Sequence, residues 1–158
     1  MPILGRLAPL PCSSSDAMSL PENSFKSALR AGRQQLGVWS TFCSPIVAEI
    51  LGKSGFDWIL FDSEHSPVEI AELLPLLQAA GSGPATSVVR PAWNDPVLIK
   101  RVLDIGAQTV LLPFVQNSLE AHRAVQSCRY PPEGRRGVSG TTRANDFGPL
   151  GGVAVQFI

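Results

Sequence analysis

The residue types best suited to chemistry sit together in DSEHSP, residues 62–67. This stretch follows the apolar run FDWILF (56–61) and sets two carboxylates and an imidazole ahead of a helix-opening Ser-Pro. Histidine titrates near neutral pH, so His65 can act as a general base when a carboxylate fixes its tautomer. Asp62, three residues earlier, can reach across the turn to do this. The alternative is a solvent-facing histidine that helps to cap a helix, beside two solvated turn carboxylates, Asp62 and Glu64. Arg90 ends another apolar run just before Pro91. A permanent charge there needs an anion, either a structural Asp or Glu or a substrate carboxylate gripped by the guanidinium fork. Asp104 falls late in a helical segment, where a negative charge opposes the helix dipole. Its compensation is either a protonated His65 or a surface pair with Lys100 or Arg101.

The elements that must position these residues alternate along the chain. A short helix is expected over 24–35 and a strand over 37–42. Ser44 as N-cap and Pro45 at the first helical position predict a helix over 45–53, stopped by Gly55. A strand over 57–62 follows. Ser66 and Pro67 then open a helix that ends at Gly81, with Pro75 kinking or shortening it. The strand 86–90 leads to an Asp95-Pro96 helix start and a stop at Gly106. A strand over 109–115 precedes a helix capped by Asn117 or Ser118. A long loop (131–152) and a fifth strand, VAVQFI (153–158), complete the pattern. Near-continuous apolar strands alternating with helices define an α/β fold, in which helices cover both faces of a parallel sheet or ring a barrel. The polar residues gather where strands end, the edge at which such folds carry out chemistry.

Composition narrows the partners. Thirteen basic and thirteen acidic residues balance, which argues against nucleic acid or an anionic membrane as the main partner. No apolar run approaches the roughly 18 residues needed to span a bilayer. The three cysteines, Cys12, Cys43 and Cys128, have no CxxC spacing and read as reduced thiols of a cytoplasmic-type compartment, with Cys43 and Cys128 in the core or on a helix face. Residues 1–24, rich in Pro and Ser, read as a flexible arm before one folded unit over 25–158. GSGPATS (81–87) precedes a strand and so lacks the strand-to-helix context of a phosphate loop. RYPPEGRRGVSG (129–140) sets Arg129, Arg135 and Arg136 near glycines, either as an anion-binding loop or as a rigid loop with solvated arginines. There is no HExxH, no metal-spaced Cys/His set and no GxSxG elbow.

Three segments together carry a resemblance: GVWSTFCSPIVAEILGKSGFDWILFDSEHSP, SVVRPAWNDPVLIKRVLDIGAQTVLLPFVQN and CRYPPEGRRGV. In their order and spacing they are similar to the HpcH/HpaI aldolases, the metal-dependent hydroxy-oxo-acid (pyruvate) aldolase group with citrate-lyase-like and macrophomate synthase relatives. The resemblance covers about residues 25–147. It implies a parallel (β/α)8 barrel that assembles into homo-oligomers. It also implies a divalent metal, Mg2+ or Mn2+, acting as a Lewis acid on a keto acid whose enolate attacks an aldehyde. An oxaloacetate decarboxylase-like activity is a close variant. His65 then matches the base of the family's D-x-E-H motif, and Asp62 the carboxylate that orients it. Asp104 matches the aspartate that supports the base, Arg90 the arginine that stabilises the oxyanion, and Trp39 a pocket aromatic. Gln156 stands where the family has a substrate-touching glutamine.

The pattern departs from the family at its end. The family places a metal-binding glutamate two residues after that glutamine, and Ile158 stands there. An aspartate ligand after a sixth strand has no counterpart, so neither metal ligand is expected in this chain. A closed eight-stranded barrel takes about 250 residues. The expectation is therefore an incomplete barrel of about five strands. It is either the base-bearing part of an aldolase or a truncated, non-catalytic fragment. An unrelated α/β binding domain is the remaining alternative.

Overall fold

The computed structural model describes residues 22–147. The expected fifth strand, Gln156, Cys12 and nearly all of the expected arm lie outside the described residues. Within them the order is α1 (Ser24–Arg30), β1 (Gly37–Ser40), α2 (Pro45–Lys53), β2 (Trp58–Asp62), α3 (Ile70–Ala80), β3 (Thr86–Arg90), α4 (Pro96–Asp104), β4 (Thr109–Val110) and α5 (Ser118–Cys128), then a 3-10 turn at Arg143–Asn145. The four strands form one parallel sheet in the order β1-β2-β3-β4. Sequential parallel order requires a crossover helix between neighbours, as the alternating pattern predicts.

Three helix starts follow their sequence signals. Ser44 accepts the Val47 N–H at 3.5 Å, Asp95 accepts from Val97 and Leu98, and Asn117 accepts the Glu120 N–H at 3.0 Å. Gly55, with φ +87°, lets the chain turn out of α2 where a side chain would be strained. The Ser66-Pro67 start does not hold. The Ser66 hydroxyl donates to the Asp62 carbonyl and accepts from Val68. It is spent on the turn, and α3 begins at Ile70 behind a Glu69–Glu72 capping box. Pro75 lies inside α3. Leu73, Leu76, Leu77 and Ala80, buried on both sides of it, hold the helix together across the missing N–H.

β4 is shorter than the expected 109–115. Pro113 has no N–H to give a ladder, and Phe114 takes φ +56°. Leu111 carries the ladder one step further, donating its N–H to the Val89 carbonyl at 2.9 Å. Cys43 is an exposed thiol in the β1–α2 loop, not a core or helix-face residue. Cys128 is also free. Burial raises its thiol above the usual range, against the opposing charges of Arg136 and Arg129.

The strand faces divide as the two-residue period requires. Ile59, Phe61 and Val89 pack with Ala48, Leu73, Leu76, Leu77 and Val102 from the helices in one buried cluster. Trp39, Leu60 and Val88 stand in register on the alternate positions, followed at the next step of that face by Asp62 and Arg90. At the opposite, amino-terminal ends of the strands lies α1. Its cap residue Asn23 donates to the Gln108 carbonyl at 3.1 Å and to Thr109 Oγ1 at 2.8 Å. Ser24 meets Thr86 at 3.0 Å, and Phe25 packs on Trp58 with ring centroids 6.1 Å apart.

Candidate active site at the carboxyl edge of the sheet

Register creates the site. Asp62 ends β2 and Arg90 ends β3, and the two are direct neighbours in the parallel ladder. Arg90 Nε donates to Asp62 Oδ1 at 2.9 Å and its terminal nitrogen to Oδ2 at 2.6 Å, the side-on fork of a bidentate pair. The other terminal nitrogen lies 2.9 Å from Glu64 Oε2. The indole N–H of Trp39 donates to Asp62 Oδ2 at 3.2 Å, and the guanidinium carbon lies 4.7 Å from the centre of the Trp39 ring.

Asp62 is almost wholly buried, at 1% exposure. Burial pushes its carboxyl up. Hydrogen bonds from Arg90, from the Glu64 and His65 backbones and from Trp39 overcome this and hold it well below the ordinary carboxylate range. The hydrogen bond from Asp62 raises Arg90 in turn, against its own burial and with the added charge of Glu64. Both groups are fixed in their charged forms.

The structure places the expected residues differently from one another. It brings Asp62, Arg90 and Trp39 into one cluster. Asp62 meets His65 through the backbone N–H at 3.3 Å, and its oxygens are otherwise occupied by Arg90, Trp39 and the Glu64 N–H. The His65 imidazole points to solvent, 73% exposed, with Nε2 3.6 Å from Glu64 Oε1. The alternative reading of Glu64 as a solvated turn carboxylate does not hold, since it is largely buried between Arg90 and His65. The alternation of strand and turn does not reveal this, because the contact depends on which way the turn closes.

Asp104 does not pair with His65, Lys100 or Arg101. It accepts from Arg136 at 2.6 Å, across 32 residues of sequence. Arg136 is buried and stands 4.6 Å from the centre of the Tyr130 ring. A cavity of about 480 Å3 lies away from all of this, beside α1, lined by Arg33, Gln34, Asp57 and Pro84 among others. Asp57 there accepts the Leu36 N–H at 2.7 Å and so stitches the entry to β1.

Among the described residues no three His, Cys, Asp or Glu side chains form a group that could hold a metal ion. The two carboxylates nearest His65 are both engaged by Arg90. These residues do not fit a metal centre by themselves.

A parallel sheet in sequential order, with helical crossovers and an ion cluster on its carboxyl edge, is the layout of a (β/α)-barrel enzyme. Solved structures share it. A HpcH/HpaI aldolase/citrate lyase family protein from Burkholderia cenocepacia superimposes with a TM-score of 0.77 at 38% identity, over 80% of this chain and 52% of that one. Macrophomate synthase superimposes with a TM-score of 0.64 at 28% identity, over 73% of this chain and 40% of that one. The chain belongs to the HpcH/HpaI aldolase/citrate lyase family, whose sequence pattern matches residues 35–145. A hydroxypyruvate/pyruvate aldolase of Sagittula stellata is 55% identical over 87% of this chain and 54% of its own length. A 4-hydroxy-2-oxo-heptane-1,7-dioate aldolase of Escherichia coli is 55% identical over 74% of this chain and 45% of its own length. The chain thus spans about half the length of these relatives.

Proposed function

We propose that this chain carries the proton-transfer part of a carbon–carbon lyase, one that cleaves a hydroxy-oxo-acid to pyruvate and an aldehyde, or runs the reverse, through an enolate. The observation that supports it is the Asp62–Arg90–Glu64 lock beside an exposed imidazole, in a chain of an aldolase family. His65, open to solvent, is the base that exchanges a proton with the keto acid. Glu64 is the positioning residue, because its Oε1 faces the imidazole and so holds the imidazolium that forms on proton transfer. Three of the five N–H groups of Arg90 are taken by Asp62 and Glu64. The remaining two are available to an enolate oxygen, and donors already fixed in place need no reorganisation as charge develops. Trp39, with its ring against the guanidinium, forms a wall of the same pocket.

In this reading a divalent cation, Mg2+ or Mn2+, is required, with donors from outside the described residues. Homo-oligomers in the cytoplasm complete the proposal. Trp93 and Phe114, stacked at 5.1 Å and 50% and 61% exposed, offer an apolar surface to a second copy. No helix among the described residues is long and apolar enough to cross a membrane.

The test is exchange of the pyruvate methyl protons for deuterium, followed by NMR with Mg2+ or Mn2+ present. It reports enolate formation without the unknown aldehyde. Replacing His65 by Ala should slow exchange by about 100-fold or more. Equal exchange in the variant would remove His65 from the role of base, and no exchange from a folded wild-type chain would favour the non-catalytic reading.

A further inference from the structure

A second charged cavity, of about 250 Å3, lies between the start of α4 and the side of α5. Two exposed arginines line it, Arg123 from α5 and Arg135 from the following loop. Neither has a hydrogen-bonded or ion-paired side-chain partner among the described residues, whereas Arg90 and Arg136 are both matched to carboxylates. The carboxylate that lines the same cavity, Glu120, is already committed. Its Oε2 accepts the Gln116 N–H at 2.8 Å and its Oε1 accepts from the Asn117 amide at 2.9 Å, so it serves the start of α5.

The backbone brings Arg135 back to this place. The Arg135 N–H donates to the Gln126 carbonyl at 2.9 Å, and the Arg136 N–H to the Arg129 carbonyl at 2.8 Å. Gly134 permits that approach, because a Cβ there would collide with the carbonyl oxygens of Gln126 and Arg129. Ala124 and Ser127, both buried and small, also line the cavity. The Ser127 hydroxyl donates to the Arg123 carbonyl, and Asn94 is a further polar residue of the lining.

We propose that this cavity binds a phosphate-class oxyanion, held between the guanidinium forks of Arg123 and Arg135. A planar fork matches the oxygens of phosphate in pairs, and two forks across one cavity favour a dianion over a single carboxylate. The site is separate from the Arg90 cluster and does not depend on the lyase reading. Whether the phosphate is free or part of a small metabolite makes no difference to the chemistry of recognition.

Inorganic phosphate is the direct probe. In 1H–15N spectra of the whole chain, amides of residues 94, 123–127 and 135 should shift together and saturate on titration. The Arg123→Gln/Arg135→Gln double variant should weaken this binding by roughly tenfold or more. Arg135→Lys keeps the charge but loses the fork, and should weaken it several-fold. A dispersed spectrum elsewhere is the folding control. Equal shifts with chloride at the same ionic strength, shifts that do not saturate, or unchanged binding in the double variant would each overturn the proposal. Binding of pyrophosphate in preference to phosphate would support a phosphorylated metabolite as the natural source.

Discussion

Two aspartate–arginine pairs on this fold look alike at first distance. Arg90 lies 2.6 Å from Asp62 and 4.7 Å from the centre of the Trp39 ring. Arg136 lies 2.6 Å from Asp104 and 4.6 Å from the centre of the Tyr130 ring. They differ in how the remaining polar atoms are used. Asp62 takes two hydrogen bonds from Arg90, one from Trp39 and two from the backbone. Asp104 takes one from Arg136, whose buried Nε has no partner. In the first pair every Asp62 oxygen is engaged by more than one donor, at the open end of the sheet. The second ties the 130–136 loop to the end of α4 and leaves a donor unsatisfied. An aspartate, an arginine and an aromatic ring thus make a multiply bonded cluster at the strand ends in one place and a single-bonded tether in the other.

The largest test of this contrast is to remove Asp62. Asp62→Ala leaves the largely buried Arg90 with Glu64 alone and should destabilise the fold by about 3 kcal/mol, read from urea denaturation midpoints. The pH dependence carries the same sign. The Asp62 carboxyl lies lower in the folded chain than the roughly 3.9 of a free aspartate, so folding favours its ionised form. That stabilisation is full above the free value and is lost as pH falls below it toward the folded value. Asp62→Asn should therefore flatten the acid limb of the stability profile. A limb unchanged from wild type would show that the network does not couple to folding.

Asp104→Ala should cost less, about 2 kcal/mol, because the pair is monodentate and its carboxylate is partly exposed. If it cost as much as Asp62→Ala, the number of hydrogen bonds would not be what separates the two pairs. The smallest effect sharpens the comparison from the aromatic side. Trp39→Phe keeps a ring against Arg90 but loses the bond to Asp62, and should cost about 1 kcal/mol. Thermal unfolding of the variant checks it, and no change would reduce Trp39 to a pocket wall.

Most of the scaffold was legible in the sequence because its signals are local. Ser44-Pro45, Asp95-Pro96 and Asn117 each cap the helix they introduce. Apolar runs marked the strands, and their ends marked the chemical edge. The misreadings have physical causes. Ser66 could cap a helix or close the Asp62 turn, and the turn took it. β4 lost most of its expected length at Pro113 and Phe114. Within the site, Asp62 and Arg90 could be read as charges needing partners. Their pairing with each other follows from strand register, which no local signal fixes. Glu64 was hidden for the same reason, and Arg136 finds Asp104 only because the loop folds back over 32 residues.

The cap of α1 has a consequence for the order of synthesis. Asn23 is bonded to residues 85 and 86 positions further along, at the entry to the last strand of the described sheet. A chain made from its amino terminus exposes that amide long before residue 109 exists. The first helix can thus complete its contacts only after the fourth strand has emerged, and contacts of such long sequence separation are slow to form. Until then α1 can rest on the earlier strands through Trp58 and Thr86, and the Asn23 amide closes the latch when β4 arrives.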